Sequence, residues 1–228
     1  MAIGLIRRGL VALSVAFLST WLSLGIMRAE CLPAASQGRL PDIGSWLSSA
    51  TDRAVAPQVP IWKTITIGIY QGPNAIRAAI DGAPCRIYIE AWADEIIGRP
   101  AFPYSRTKIE LDLVVVAVAD FGFDHDASLR DIHARALAVG LELCPPEAGP
   151  ILRLNYLDQP IAEFIQLAMR PVARYSGEPI DLTLGNGGTG LLLLGGDARP
   201  EVVIPRSTRF VFVLPRPKAI VSSVAGQR

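Results

Sequence analysis

Residues 109–119 read Ile-Glu-Leu-Asp-Leu-Val-Val-Val-Ala-Val-Ala, and no other stretch constrains the fold as tightly. The run opens by alternating apolar and acidic residues, which places Glu110 and Asp112 on one face of a strand. It then continues apolar without interruption. A strand that is apolar on both faces needs cover on both, so the run predicts a central strand with layers above and below it.

The flanking patterns supply those layers. Trp62 to Ile69 alternates apolar with polar or small residues and predicts a strand. Pro73 opens a short helix in which Ile76, Ala79 and Ile80 share a face and Gly82 ends it. A second short helix is expected over about Ile89 to Ile97, closed by Gly98. Ser128-x-x-Asp131 has the form of a capping box, and a helix follows to about Val139, closed by Gly140. Beyond Pro150 the pattern reads as strands: Ile151–Tyr156, Glu163–Met169, Ile180–Leu184, Gly190–Leu194 and Thr208–Leu214. The order implies an α+β fold, a single domain with a mostly antiparallel sheet and two or three short helices. An N-terminal apolar helix precedes it.

That apolar segment governs location. Gly9 to Met27 carries no charge, Arg7 and Arg8 precede it, and Arg28 closes it. Its 19 residues would span about 28 Å as a helix. Residues 1–29 fit a cleaved secretory signal or a retained anchor. The expected location is therefore periplasmic or secreted, or anchored in the inner membrane through residues 9–27 and facing the periplasm. Residues 30–60, punctuated by Pro33, Pro41, Pro57 and Pro60, read as a linker. The domain is expected over 61–215, with a disordered tail over 216–228. The leader holds three arginines and no acid, so the remainder carries −2 of the formal +1. That balance lacks the basic footprint of a nucleic-acid binder.

Two blocks carry a resemblance. One is Asp112-Leu-Val-Val-Val-Ala-Val-Ala-Asp-Phe-Gly-Phe123. The other runs from Arg135-Ala136 through Gly140-Leu-Glu-Leu-Cys-Pro-Pro-Glu147, Gly149-Pro150, Leu152-Arg-Leu154 and Tyr156 to Asp158-Gln-Pro160. With Trp62-Lys-Thr-Ile, Trp92-Ala-Asp and Phe210-Val-Phe, they resemble an uncharacterised bacterial family across about residues 62–214. The resemblance implies a domain boundary and brings no activity. This copy departs from the pattern at His133 (usually Tyr), Ala162 (usually Gly) and Phe164 (usually Trp).

The densest polar stretch runs from Cys144 to Glu163. Glu147, Arg153, Asp158 and Gln159 are candidate ligand-binding residues, since convergent polar groups can orient a ligand. Mutual ion pairing is the competing account. Cys144 could act as a nucleophile with His133 or His125 as base, the chain having only two histidines. Asp124, His125, Asp126 and Asp131 read as a solvated turn, and no metal-ligand spacing is present. No cofactor loop is expected either. Gly185-Asn-Gly-Gly-Thr-Gly190 matches a dinucleotide fingerprint in letters alone and reads as a hairpin, with Asn-Gly supplying positive φ. Cys85 and Cys144 could form a disulfide in an exported domain, or be buried separately. The leading expectation is an exported or membrane-tethered domain that binds a protein or small ligand without catalysis. The alternatives are a hydrolase-like enzyme using Cys144 with His133 and a structural envelope component.

Overall fold

The computed structural model describes residues 60–216. The expected leader, nearly all of the expected linker, and residues 217–228 of the expected tail lie outside the described residues. The chain enters through β1 (Lys63–Ile67) and α1 (Pro73–Asp81), then β2 (Ile87–Ile89) and α2 (Ala91–Gly98). The apolar run forms β3 (Ile109–Ala117), followed by β4 (Ala127–Ser128), α3 (Leu129–Ala138) and α4 (Ala148–Asn155). The C-terminal half adds β5 (Phe164–Leu167), β6 (Val172–Ala173), β7 (Pro179–Asn186), β8 (Leu191–Asp197), β9 (Val203–Ile204) and β10 (Arg209–Leu214).

One sheet organises the domain in the order β1-β3-β10-β5-β7-β8-β2, with β6 added beside β7. Its pairings are antiparallel except β10–β5 and β2–β8. The domain is therefore α+β with a mixed, mostly antiparallel sheet. β3 lies between β1 and β10 and is covered on both faces, as its composition demands. Leu111, Leu113 and Val115 join one core with Ile76, Ile80, Ile96, Ile97, Ile151 and Leu152 of α1, α2 and α4. Val114 and Val116 join a second core with Phe210, Phe212, Ile132 and Ala136, so α3 covers the other face.

Local chemistry sets the helix boundaries. Pro73 stands at the first position of α1, where its missing N–H costs nothing. The Ser128 hydroxyl accepts the Asp131 N–H at 3.1 Å and donates to the Asp131 carboxylate at 2.7 Å, which starts α3 at the expected capping box.

Two expectations change, and one open alternative closes. Residues 148–155 form a helix rather than a strand, bringing the count to four. The short apolar run Ile151–Leu154 fits either period, and burial on the first core selected the helix. In the glycine-rich hairpin, positive φ falls on Gly188 (+87°) and Gly190 (+150°), because Asn186 still belongs to β7. Cys85 is disulfide-bonded and Cys144 is a buried free thiol, so the two are not joined. Cys144 bridges Met169 just after β5, whereas Cys85 precedes β2, three strands away. That is roughly 14 Å at normal strand spacing, beyond disulfide reach. Cys31, the third cysteine, lies outside the described residues.

Candidate functional site

The polar stretch expected to hold a ligand closes on itself. Glu147, Arg153 and Gln159 are all 0% exposed. Glu147 accepts the Gly68 N–H at 2.9 Å and the Ser105 N–H at 2.7 Å, fastening two loops to the start of α4. Arg153 sits at the other end of α4. It donates to Gln159 Oε1 at 2.5 Å, to the Gly185 and Leu192 carbonyls at 3.3 and 3.4 Å, and to the Tyr156 carbonyl. Its hydrogen-bond partners include no carboxylate, and burial pushes the guanidinium down to about 10. Gln159 passes the contact on to the Glu163 and Leu184 carbonyls. The structure thus brings Arg153 and Gln159 together. Glu147 lies at the opposite end of the helix, and Asp158 faces outward near Lys63 at 3.9 Å.

Beside this cluster, the Tyr156 hydroxyl donates to Glu163 at 2.6 Å and Arg209 pairs with the same carboxylate at 3.1 Å. Ala162 lies between, with φ +63°. Glycine would adopt this left-handed conformation at lower cost.

Cys144 and His133 do not meet. The Cys144 thiol belongs to the first core, donates to the Val211 carbonyl at 3.4 Å, and is pushed far up by burial. His133 rides on α3 across the sheet, 6.3 Å from the Phe210 ring. Burial lowers its pKa, and its Nε2 has no hydrogen-bond partner. A base on one face cannot activate a thiol buried in the other. In the expected solvated turn, Asp126 accepts the Arg206 N–H at 2.9 Å. Among the described residues no group of three or more His, Cys, Asp or Glu side chains could hold a metal ion. Among them, too, no helix is long and apolar enough to cross a membrane.

An open recess lies elsewhere, at the far end of β7 and β8. It holds about 310 Å³ and is lined by Trp92, Arg174, Glu178, Ile180, Asp197 and Arg199. Sheet register assembles it, since Ile180 pairs directly with Asp197 across β7 and β8. Glu90 caps α2 by accepting the Trp92 N–H at 2.9 Å, and it also accepts the Gly195 N–H of β8 at 3.3 Å. A Cβ at Gly195 would stand 2.7 Å from Trp92 Cβ and 2.9 Å from the Ala93 nitrogen, so glycine lets α2 approach the strand. Trp92 keeps 40% of its surface exposed.

The β6–β7 turn supplies the next wall. Arg174 stacks on the Trp92 ring at 4.9 Å and donates to Glu95 at 2.9 Å and Glu178 at 3.4 Å. The Tyr175 backbone N–H, at 2.6 Å, and Arg174 hold the Glu95 carboxyl below its usual range. On the opposite rim the Arg199 fork grips Asp197 at 2.6–3.1 Å, lowering the acid's pKa and raising the base's.

Sequence reasoning missed this site. Its residues are spread from Trp92 to Arg199 and form no motif. The available signals were the bulky Trp92 at the start of a helix and two arginines beside turns.

On the other face of the same strands lies one more unusual group. Asp181, 2% exposed, accepts a Gln166 amide N–H at 2.5 Å, while its Oδ1 has no partner. Burial pushes its carboxyl up to about 7. No protein-family model, curated protein or solved structure matches this chain.

Proposed function

We propose that the chain is an exported, non-catalytic binding domain whose ligand enters the recess walled by α2, the β6–β7 turn and the end of β8. The observation that carries this reading is the recess itself: it is lined by the exposed Trp92 indole and the buried Ile180 together with two guanidinium groups and two carboxylates. An apolar lining with a few fixed polar groups is the usual make-up of a small-ligand site. The Cys144 thiol, sealed in the core on the face opposite His133, speaks against the hydrolase-like alternative built on that pair. Delivery falls to residues 1–29, as a cleaved signal or an inner-membrane anchor. The disulfide at Cys85 supports an oxidising compartment such as the periplasm. Kinship with the uncharacterised bacterial family belongs to the same proposal and supplies a boundary near Trp62.

Backbone amide shifts of the folded protein, recorded against a library of small metabolites, test the binding reading. Perturbations are expected to cluster on Trp92, Ile180 and Asp197. Perturbations confined to the α4 cluster, or an intact chain wholly in the cytosol on fractionation, would overturn it.

A further inference from the structure

We infer that the recess recognises a neutral saccharide, an inference that rests on the binding reading above. Each charge on its walls already has a counter-charge. Arg199 is held by Asp197 through both Nε and Nη2, and Arg174 is shared between Glu95 and Glu178. The lining sums to zero formal charge, two guanidinium groups against two carboxylates. An ionic ligand would have to shed its water without gaining an unpaired opposite charge, a poor exchange in a partly desolvated site.

A polyhydroxyl ligand meets no such obstacle. The paired groups leave hydrogen-bonding capacity in both senses: a guanidinium has five N–H donors and a carboxylate about four acceptor positions. Asp197 occupies Nε and Nη2 of Arg199, leaving Nη1 toward further acceptors. A sugar hydroxyl is donor and acceptor at once, so neighbouring hydroxyls can bond a guanidinium and its carboxylate together. The lining of the recess suits the rest of a pyranose. Trp92, 40% exposed, offers an apolar surface to its C–H groups while the charged pairs meet its hydroxyl edge. Stacked Arg174 holds the indole in place and the Glu90 cap holds its backbone, so little ordering cost falls on binding. At roughly 30 Å³ per water, the volume is that of about ten waters, the scale of one or two sugar units.

The test is calorimetric titration of the full chain with glucose, galactose, mannose, N-acetylglucosamine and their β-linked disaccharides. Citrate, inorganic phosphate and glycine serve as charged and zwitterionic comparators. At least one saccharide is expected to bind saturably, with an affinity that changes less than twofold between 50 and 500 mM salt. Arg199→Gln and Trp92→Leu are each expected to weaken it at least tenfold. Both sites lie at the surface, and unchanged melting temperatures would show that the fold is kept. Binding of phosphate, citrate or glycine at the recess without any saccharide overturns the saccharide assignment and leaves the binding reading standing. Saccharide binding that ignores both substitutions overturns the assignment to this recess. Silence from every probe overturns the saccharide inference, and the metabolite-library shifts then decide the broader reading separately.

Discussion

The α4 cluster and the β7–β8 recess are both rich in charge, yet they differ in where their hydrogen bonds go. Around α4, Glu147, Arg153 and Gln159 spend their contacts on backbone groups from Gly68, Ser105, Tyr156, Glu163, Leu184, Gly185 and Leu192. In the recess, charges pair with each other and leave the Trp92 indole part-exposed. Buried polar groups that satisfy backbone atoms hold loops and strands in register. Polar groups that pair at a surface leave an opening. A high local density of charged letters in the sequence therefore marked the part of this protein that holds the fold, not the part open to a ligand.

Truncations at the two regions should separate them most sharply. Glu147→Ala strands the Gly68 and Ser105 N–H groups, and Arg153→Ala strands three carbonyls and Gln159. Each is expected to cost about 3–5 kcal/mol in urea unfolding. Arg199→Gln, at the exposed rim, should cost under about 1 kcal/mol. Equal losses at both regions would erase the distinction.

Next in size is Asp181. Burial pushes its carboxyl from the ordinary 3.8 up to about 7, so between those values the folded state holds a proton that the unfolded chain releases. The Asp181 contribution to stability should be full below about pH 4, fall as pH rises toward 7, and level off above it, by about 4 kcal/mol at most. Asp181→Asn should abolish that slope. A slope that survives in the variant would assign it to another group.

Cysteine chemistry gives a smaller, qualitative readout. In the folded, unreduced chain, Cys144 should resist a thiol reagent for as long as the protein stays folded. Non-reducing peptide mapping should recover Cys85 in a disulfide and Cys144 as a free thiol. A Cys85–Cys144 peptide pair would contradict the packing of both.

The smallest effect is expected at Ala162. Replacing it with glycine relieves a left-handed alanine at the edge of the α4 cluster and should raise stability by up to about 1 kcal/mol. A loss of similar size would show that backbone freedom in the unfolded chain outweighs the strain.

Much of the framework was legible from pattern alone. The run at 109–119, the proline start of α1, the Ser128 cap of α3 and the hairpin around Gly188 each have a local physical cause. The two- and three-residue strands β2, β4, β6 and β9 had none, because so short a segment carries no period and exists through its partner. The Ile151–Leu154 run was ambiguous for the same reason. Its alternation predicts a strand with Arg153 turned away from Leu152 and Leu154, whereas the helix buries Arg153 together with Leu152 in the interior.

By itself the amino-acid sequence determined the class of fold, the doubly covered central strand and most element boundaries, since these depend on the spacing of apolar residues and on caps within a few positions. Tertiary structure alone decided that Cys144 and His133 stand on opposite faces, that Arg153 is an internal fastener, and that Trp92, Ile180 and Asp197 share one recess. Those outcomes depend on which strands pair and in what register, and both arise from contacts between residues beyond the reach of any local pattern.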